Sequence, residues 1–142
     1  MAKKSTIPMM AAAVAERVRN QSKEYLIVRM PDSALDGKWS FPFGEIDKGD
    51  APEAAARRLA RKLLNIGMDV QIGQPPFDAE LNGTLYRWRF CFGSATGGEA
   101  EPVGVDELRW VIPGTLVEYE FDPVSQQVVD WLRQEDAASS DG

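Results

Sequence analysis

The groups able to do chemistry in this chain are carboxylates, lysines, arginines and hydroxyls, because its 142 residues include no histidine and one cysteine, Cys91. That inventory excludes a disulfide framework, a structural zinc site and a histidine-based triad. Catalysis is left to acids, lysines, hydroxyls or a hard metal ion. The densest charged grouping is basic: Arg57, Arg58, Arg61 and Lys62 fall within one helix-forming stretch. They read either as a solvated face that complements the C-terminal end of the helix dipole, or as a patch for phosphate or nucleic acid. Just before them Asp50 suits a helix N-cap, with Glu53 three residues on. In the strand-like run Tyr86–Phe92, Tyr86, Trp88, Phe90 and Phe92 share one face while Arg87, Arg89 and Cys91 share the other. Such an aromatic face serves either a core or base stacking.

Elements must position these groups. Ala11–Val18 has helix-forming composition, yet the polar break Asn20–Lys23 and the β-rich Tyr25–Val28 after it fit two paired strands better. A loop holding Pro31, Asp32, Asp36 and Gly37 leads to the aromatic Trp39–Gly44 and a polar stretch ending at Asp50. Ala51–Leu64 is the most secure helix, with Pro52 in its first turn, Asn65 and Gly67 as its stop, and Ala55, Ala56 and Ala60 permitting close approach to a sheet. Val70–Gly73 reads as a strand, and Asn82-Gly83 between Phe77–Leu81 and Leu85–Phe92 is a strong hairpin signal. Ser94–Gly104 reads as a loop, Leu108–Ile112 as a strand, and Asp122-Pro123 as the start of a helix with Val124, Val128 and Leu132 on one stripe.

The chain is 44% hydrophobic and 27% charged, as expected of one globular domain over residues 6–133, with a flexible N-terminus at 1–5 and a disordered tail at 134–142. A formal charge of −6 disfavours nucleic acid and membrane surfaces as partners. Lys3, Lys4 and the apolar run from Ile7 to Ala15 have the outline of a secretory signal. The run is poor in leucine, however, and passes into Glu16, Arg17 and Arg19 and then into a segment the fold needs. A cytoplasmic protein is the expectation.

The order of hairpin, Trp39-Ser40-Phe41-Pro42, Gly44, acidic loop, helix, further strands and terminal helix resembles the Nudix family over roughly residues 6–133. The resemblance implies an α/β fold, an α/β/α sandwich around a mixed β-sheet. The family's box reads G-x5-E-x7-R-E-U-x-E-E-x-G-U, U being a bulky aliphatic, and the chain meets it at Gly44 and Arg58, with Asp50 in the first glutamate position. Leu59, Lys62 and Leu63 stand at the other three glutamate positions and Asn65 at the late glycine. In the family those glutamates gather a divalent ion on one helix face, because magnesium or manganese needs several converging oxygens. Two leucines and a lysine cannot supply them.

The resemblance therefore implies a Nudix-fold protein with a degenerate box, binding a nucleotide-like or phosphorylated small ligand with little or no diphosphate hydrolysis. Lys62, Phe43, Arg87, Arg89 and Phe121 are the ligand-binding candidates, and no cofactor is required. Glu118–Pro123 is similar to the aromatic-proline turn that lines a base pocket in nucleotide-cleaning relatives, although Phe121 equally suits the core. The alternative is a divergent hydrolase using magnesium or manganese, its catalytic set Asp50, Glu45, Asp47 and Arg58, with Glu80 on a nearby strand and Asp50 and Glu53 as the candidate metal ligands. A third reading is a structural or interaction module, as a homodimer or with a protein partner, because an exposed pair such as Leu59 and Leu63 seeks cover. Lys62 is expected to reach back towards Asp50, Asp47 or Glu45 in place of the lost metal.

Overall fold

A computed structural model describes residues 7–30, 37–47 and 49–140. The N-terminal segment 1–5 and the Pro31–Asp36 part of the loop lie outside the described residues. Both long N-terminal runs are strands: β1, Met9–Arg19, and β2, Ser22–Arg29, pair antiparallel with Glu16 opposite Tyr25. Asn20 and Gln21 between them take positive φ of 52° and 66°, the two-residue turn whose twist matches the flanking strands. Ala11–Ala15 is strand despite its alanines because β1 is flanked on both sides. Its other edge pairs in parallel with β6, Thr84–Thr96, and its first half also pairs with the short β3, Phe43–Glu45.

β4, Gly67–Gly73, and β5, Phe77–Leu81, both pair antiparallel with β6, and β7, Glu107–Val111, pairs with β2. The order β4-β6-β1-β2-β7 makes one mixed sheet. The hairpin turn at Asn82-Gly83 forms as its residue types require, with φ of 52° and 83°. Met68 and Gly67 pair with Ala95 and Thr96, so β6 continues through Thr96 and the loop begins later than Ser94. Gly67 accordingly opens a strand.

Helix α1, Pro52–Leu64, covers one face of this sheet, and α2, Pro123–Ser140, the other. α1 approaches closely: Ala56 and Ala60 pack with Ala13, Ala15, Leu26, Val28 and Cys91, alanine against alanine. α2 sets Val124, Val128 and Leu132 against Val14, Ile27, Phe41, Phe90 and Phe121. The result is the three-layer α/β/α sandwich. α1 stops at Asn65, whose left-handed φ of 57° lets its own N–H bond the Arg61 carbonyl at 3.0 Å and the Ile66 N–H bond the Ala60 carbonyl at 3.4 Å. α2 runs on to Ser140, well beyond Arg133, since Gln134–Ala138 contains neither glycine nor proline and helix-forming residues predominate.

Candidate ligand site at the first helix

The site's scaffold is β3 against the flank of α1. Side chains alternate along β3, and Phe43 joins the α2-side core, where its ring meets Trp88 edge-on at 5.5 Å. Gly44 therefore faces α1. A Cβ there would stand 2.8 Å from Leu59 Cδ2, so the leucine methyl lies directly on the glycine backbone. Glu45, two residues from Phe43, shares its side of β3, away from α1, and is exposed with no ion pair to a described residue.

Asp50 does not cap α1. Ala51 is the N-cap residue, no side chain caps the helix, and the Asp50 carboxylate is turned aside to accept a 2.6 Å hydrogen bond from Arg58 Nη1. Arg58 Nη2 also lies 3.5 Å from Asp47. The bond from Arg58 joins two full charges, whereas a cap would pair the carboxylate only with backbone N–H dipoles. Glu53 is claimed too, from beneath: Arg89 Nη2 on β6 lies 3.8 Å away. Lys62, expected to make such pairings, is exposed and forms no ion pair with a described residue. Arg58 has taken that place.

The leucine pair is not the exposed surface expected. Leu63 is 8% exposed and Leu59 is half-buried. The cover comes from the segment after β6, which returns to the end of α1: Glu101 N–H bonds the Leu64 carbonyl at 2.9 Å, and Val103 and Gly104 N–H both bond the Leu63 carbonyl, at 3.1 and 2.9 Å. A Cβ on Gly104 would meet Leu63 Cδ2 at 2.6 Å, so any other residue there would have to push the leucine side chain aside. The apolar motive for a partner at these leucines is thus met within the chain.

Of the other ligand-binding candidates, Arg87 is held by Asp78 through bonds of 2.8 and 3.2 Å, which lower the Asp78 pKa and raise that of Arg87. Arg89 lies under α1 with Glu53, its Nε buried and without a hydrogen-bond partner. Phe121 is 5% exposed and stacks on Phe41 at 6.0 Å, a core role. The turn before α2 is a capped helix start: Asp122 Oδ1 accepts from Val124 and Ser125 N–H at 2.9 and 3.0 Å. Glu80 is exposed on β5, opposite Leu85, and pairs with none of the acids at α1.

Among the described residues no three acidic or thiol groups come together as a metal cage. The acids nearest α1 are already matched to Arg58 and Arg89, and Leu59 fills the space over Gly44. These residues do not fit a divalent ion. What the arrangement offers is an ammonium unmatched among the described residues, on a helix flank beside a closed apolar contact.

Two features escaped the sequence reading. One is a cluster where β2 ends beside the start of β7, in which Glu107 accepts from Arg29 at 2.9 Å and from Arg109 at 3.1 Å. Both guanidiniums lie within 6 Å of the Trp39 ring, at 5.9 and 5.8 Å, and Tyr119 meets that ring edge-on. The i, i+2 spacing of Glu107 and Arg109 was the available signal. The other is an open groove lined by Gln21, Ser22, Lys23, Ile112, Pro113 and Gly114, at the far end of β1 from β3. No described helix is long and apolar enough to cross a membrane.

The NUDIX domain family model matches residues 8–132. No curated protein matches the chain. Among solved structures, an Ap4A hydrolase binary complex from C. elegans is 15% identical, covering 96% of this chain and 100% of its own, with a TM-score of 0.76. A MutT protein from Methanosarcina mazei Go1 is 17% identical over 97% of this chain and 99% of its own, at 0.75. The NUDIX domain of Shewanella oneidensis NrtR, complexed with ADP ribose, is 12% identical over 93% and 90%, also at 0.75.

Proposed function

The chain belongs to the NUDIX family, and from that membership we propose that it binds a nucleotide-like or otherwise phosphorylated small ligand and hydrolyses diphosphates little or not at all. One observation carries the reading: Asp47, Asp50 and Glu53 are committed to Arg58 and Arg89, while Lys62 on the same helix has no acidic partner among the described residues. A metal-dependent hydrolase needs the reverse, acids free to hold a cation that offsets phosphate charge and orients water. A lysine without a carboxylate partner can instead meet phosphate directly as a point charge. The likeness to a NUDIX domain complexed with ADP ribose supports a nucleotide-like ligand. The family's box is degenerate on this reading, and the protein acts in the cytoplasm as one domain.

The test is a pair of measurements on the full chain. ADP ribose and ADP are titrated while tryptophan fluorescence is followed, and a panel of nucleoside diphosphate derivatives is offered with magnesium or manganese. Saturable binding without turnover is the expected result. Turnover at ordinary enzymatic rates, on the order of 1–1000 per second, would end the reading.

A further inference from the structure

We infer that the ligand of this site enters free of its divalent counter-ion, so that magnesium opposes binding instead of assisting it. This rests on the ligand-binding reading above and goes beyond it by fixing the ionic form that is recognised. Phosphate-bearing ligands in magnesium solution are divided between free anion and magnesium complex. A site takes up the complex only if it offers the ion further oxygens or tolerates its charge. Neither condition is met at α1.

Among the described residues, the acids at the start of this flank are committed elsewhere. Asp47 and Asp50 hold Arg58, at 3.5 and 2.6 Å, and releasing either to a metal would leave the guanidinium short of a partner. Glu53 is turned to Arg89, and Glu45 lies on the side of β3 away from the helix. Leu59 over Gly44 presents methyl groups where an ion would need oxygens. Lys62 stands one turn beyond Arg58, close enough on a helix surface to share a ligand with it. Arg57 and Arg61 are exposed on the same helix, adding positive charge. A complexed ion brought to this face meets an ammonium at close range, whereas the free phosphate meets an attractive one. The preference comes from a cation having replaced an acid at Lys62.

The experiment titrates ADP, and separately inorganic pyrophosphate, into the full chain in EDTA, in magnesium chloride, and in potassium chloride matched for ionic strength, since salt alone screens the site. If only the free anion binds, the apparent Kd rises in inverse proportion to the free fraction, about tenfold when roughly nine-tenths of the probe is complexed. The magnesium arm should therefore weaken binding well beyond the potassium arm. Lys62→Gln should flatten that difference while lowering affinity in EDTA, and Lys62→Glu should reverse its sign; both variants change an exposed side chain, and circular dichroism checks their folding. Equal or tighter binding with magnesium overturns the inference and leaves the ligand-binding reading intact. Binding of neither probe in any arm overturns that reading itself. A magnesium effect unchanged in Lys62→Gln shows that the antagonism does not arise at this face, and overturns the inference as well.

Discussion

The two helices enter the structure through nearly the same residues, Asp50-Ala51-Pro52 and Asp122-Pro123, and the two aspartates do different work. Asp122 is buried and caps α2 through two backbone N–H groups. Asp50, one residue further from its proline, leaves α1 uncapped and binds Arg58. The layers beneath differ in the same sense. Under α2 lie interlocked rings, Phe90 stacking on Trp88 and Phe77 at 5.9 and 5.8 Å and meeting Phe41 edge-on. Under α1 lie alanines, ringed by ion pairs. One face is held by packed volume, and the other by close backbone approach with charge at its margin. A binding site suits the second, where polar groups reach the surface without disturbing a core.

That contrast is open to attack, beginning where the effect should be greatest. Phe90→Ala should cost about 3–5 kcal/mol in urea unfolding, because a fully buried ring wedged among other rings leaves a cavity that cannot collapse. A loss below about 1 kcal/mol would mean the rings are loosely packed. On the opposite face the damaging change is enlargement: Ala60→Leu should cost about 1–3 kcal/mol by forcing α1 off the sheet.

The aspartates come next. Asp122→Ala should cost about 0.5–1 kcal/mol, towards the low end for a lost cap, because Asp122 Oδ2 is itself buried without a partner and that penalty disappears with it. Asp50→Ala should cost less, within the ~0–1 kcal/mol of a partly exposed ion pair, and its cost should shrink in high salt as that of Asp122→Ala should not. Equal salt dependence of the two would erase the distinction. The Cys91 thiol, under α1, has its pKa pushed up to about 11, chiefly by burial. Native protein at pH 8 should therefore resist alkylation by iodoacetamide, and urea should expose the thiol. The smallest effect is at Glu107, whose pKa is lowered first by the hydrogen bond from Arg109 and also by Arg29. Its folded pKa lies below the unfolded one, so its contribution is present above the ordinary glutamate range and fades as pH falls through the lowered value. Glu107→Gln should therefore flatten the acid limb of the stability curve slightly.

Much of the architecture was legible because local signals agreed with it. The Asn82-Gly83 turn, the Ala51–Leu64 helix with its Asn65 stop, and the Val124, Val128 and Leu132 stripe each follow from a few neighbouring residues. Residues 11–28 form two strands against alanine's helical preference, and the polar break at Asn20–Lys23 followed by Tyr25–Val28 is the local signal of that hairpin. The site was harder, since its contacts join residues far apart. Nothing near Leu63 shows that Glu101–Gly104 will return to bond its carbonyl, so the leucine reads as exposed. Asp50 has cap chemistry and cap position, and only the placement of Arg58 across the loop decides against that role. Glu53 gave no hint of Arg89, a strand residue that the fold alone brings beneath the helix.

The parallel pairing of β1 with β6 also governs how the molecule can be made. Ala11 lies beside Arg89 and Ala15 beside Gly93, partners separated by more than half the chain. A ribosome therefore releases the first strand long before its neighbour exists, and β2 can cover only one of its edges in the meantime. Sheets closed by such distant partners form slowly, and an apolar strand with an unpaired edge can recruit another nascent chain while it waits. β1 carries no charged side chain from Met9 to Ala15, and its first acid is Glu16. Yield during expression should thus be more sensitive to growth temperature and chaperone supply than the stability of the finished sandwich would suggest.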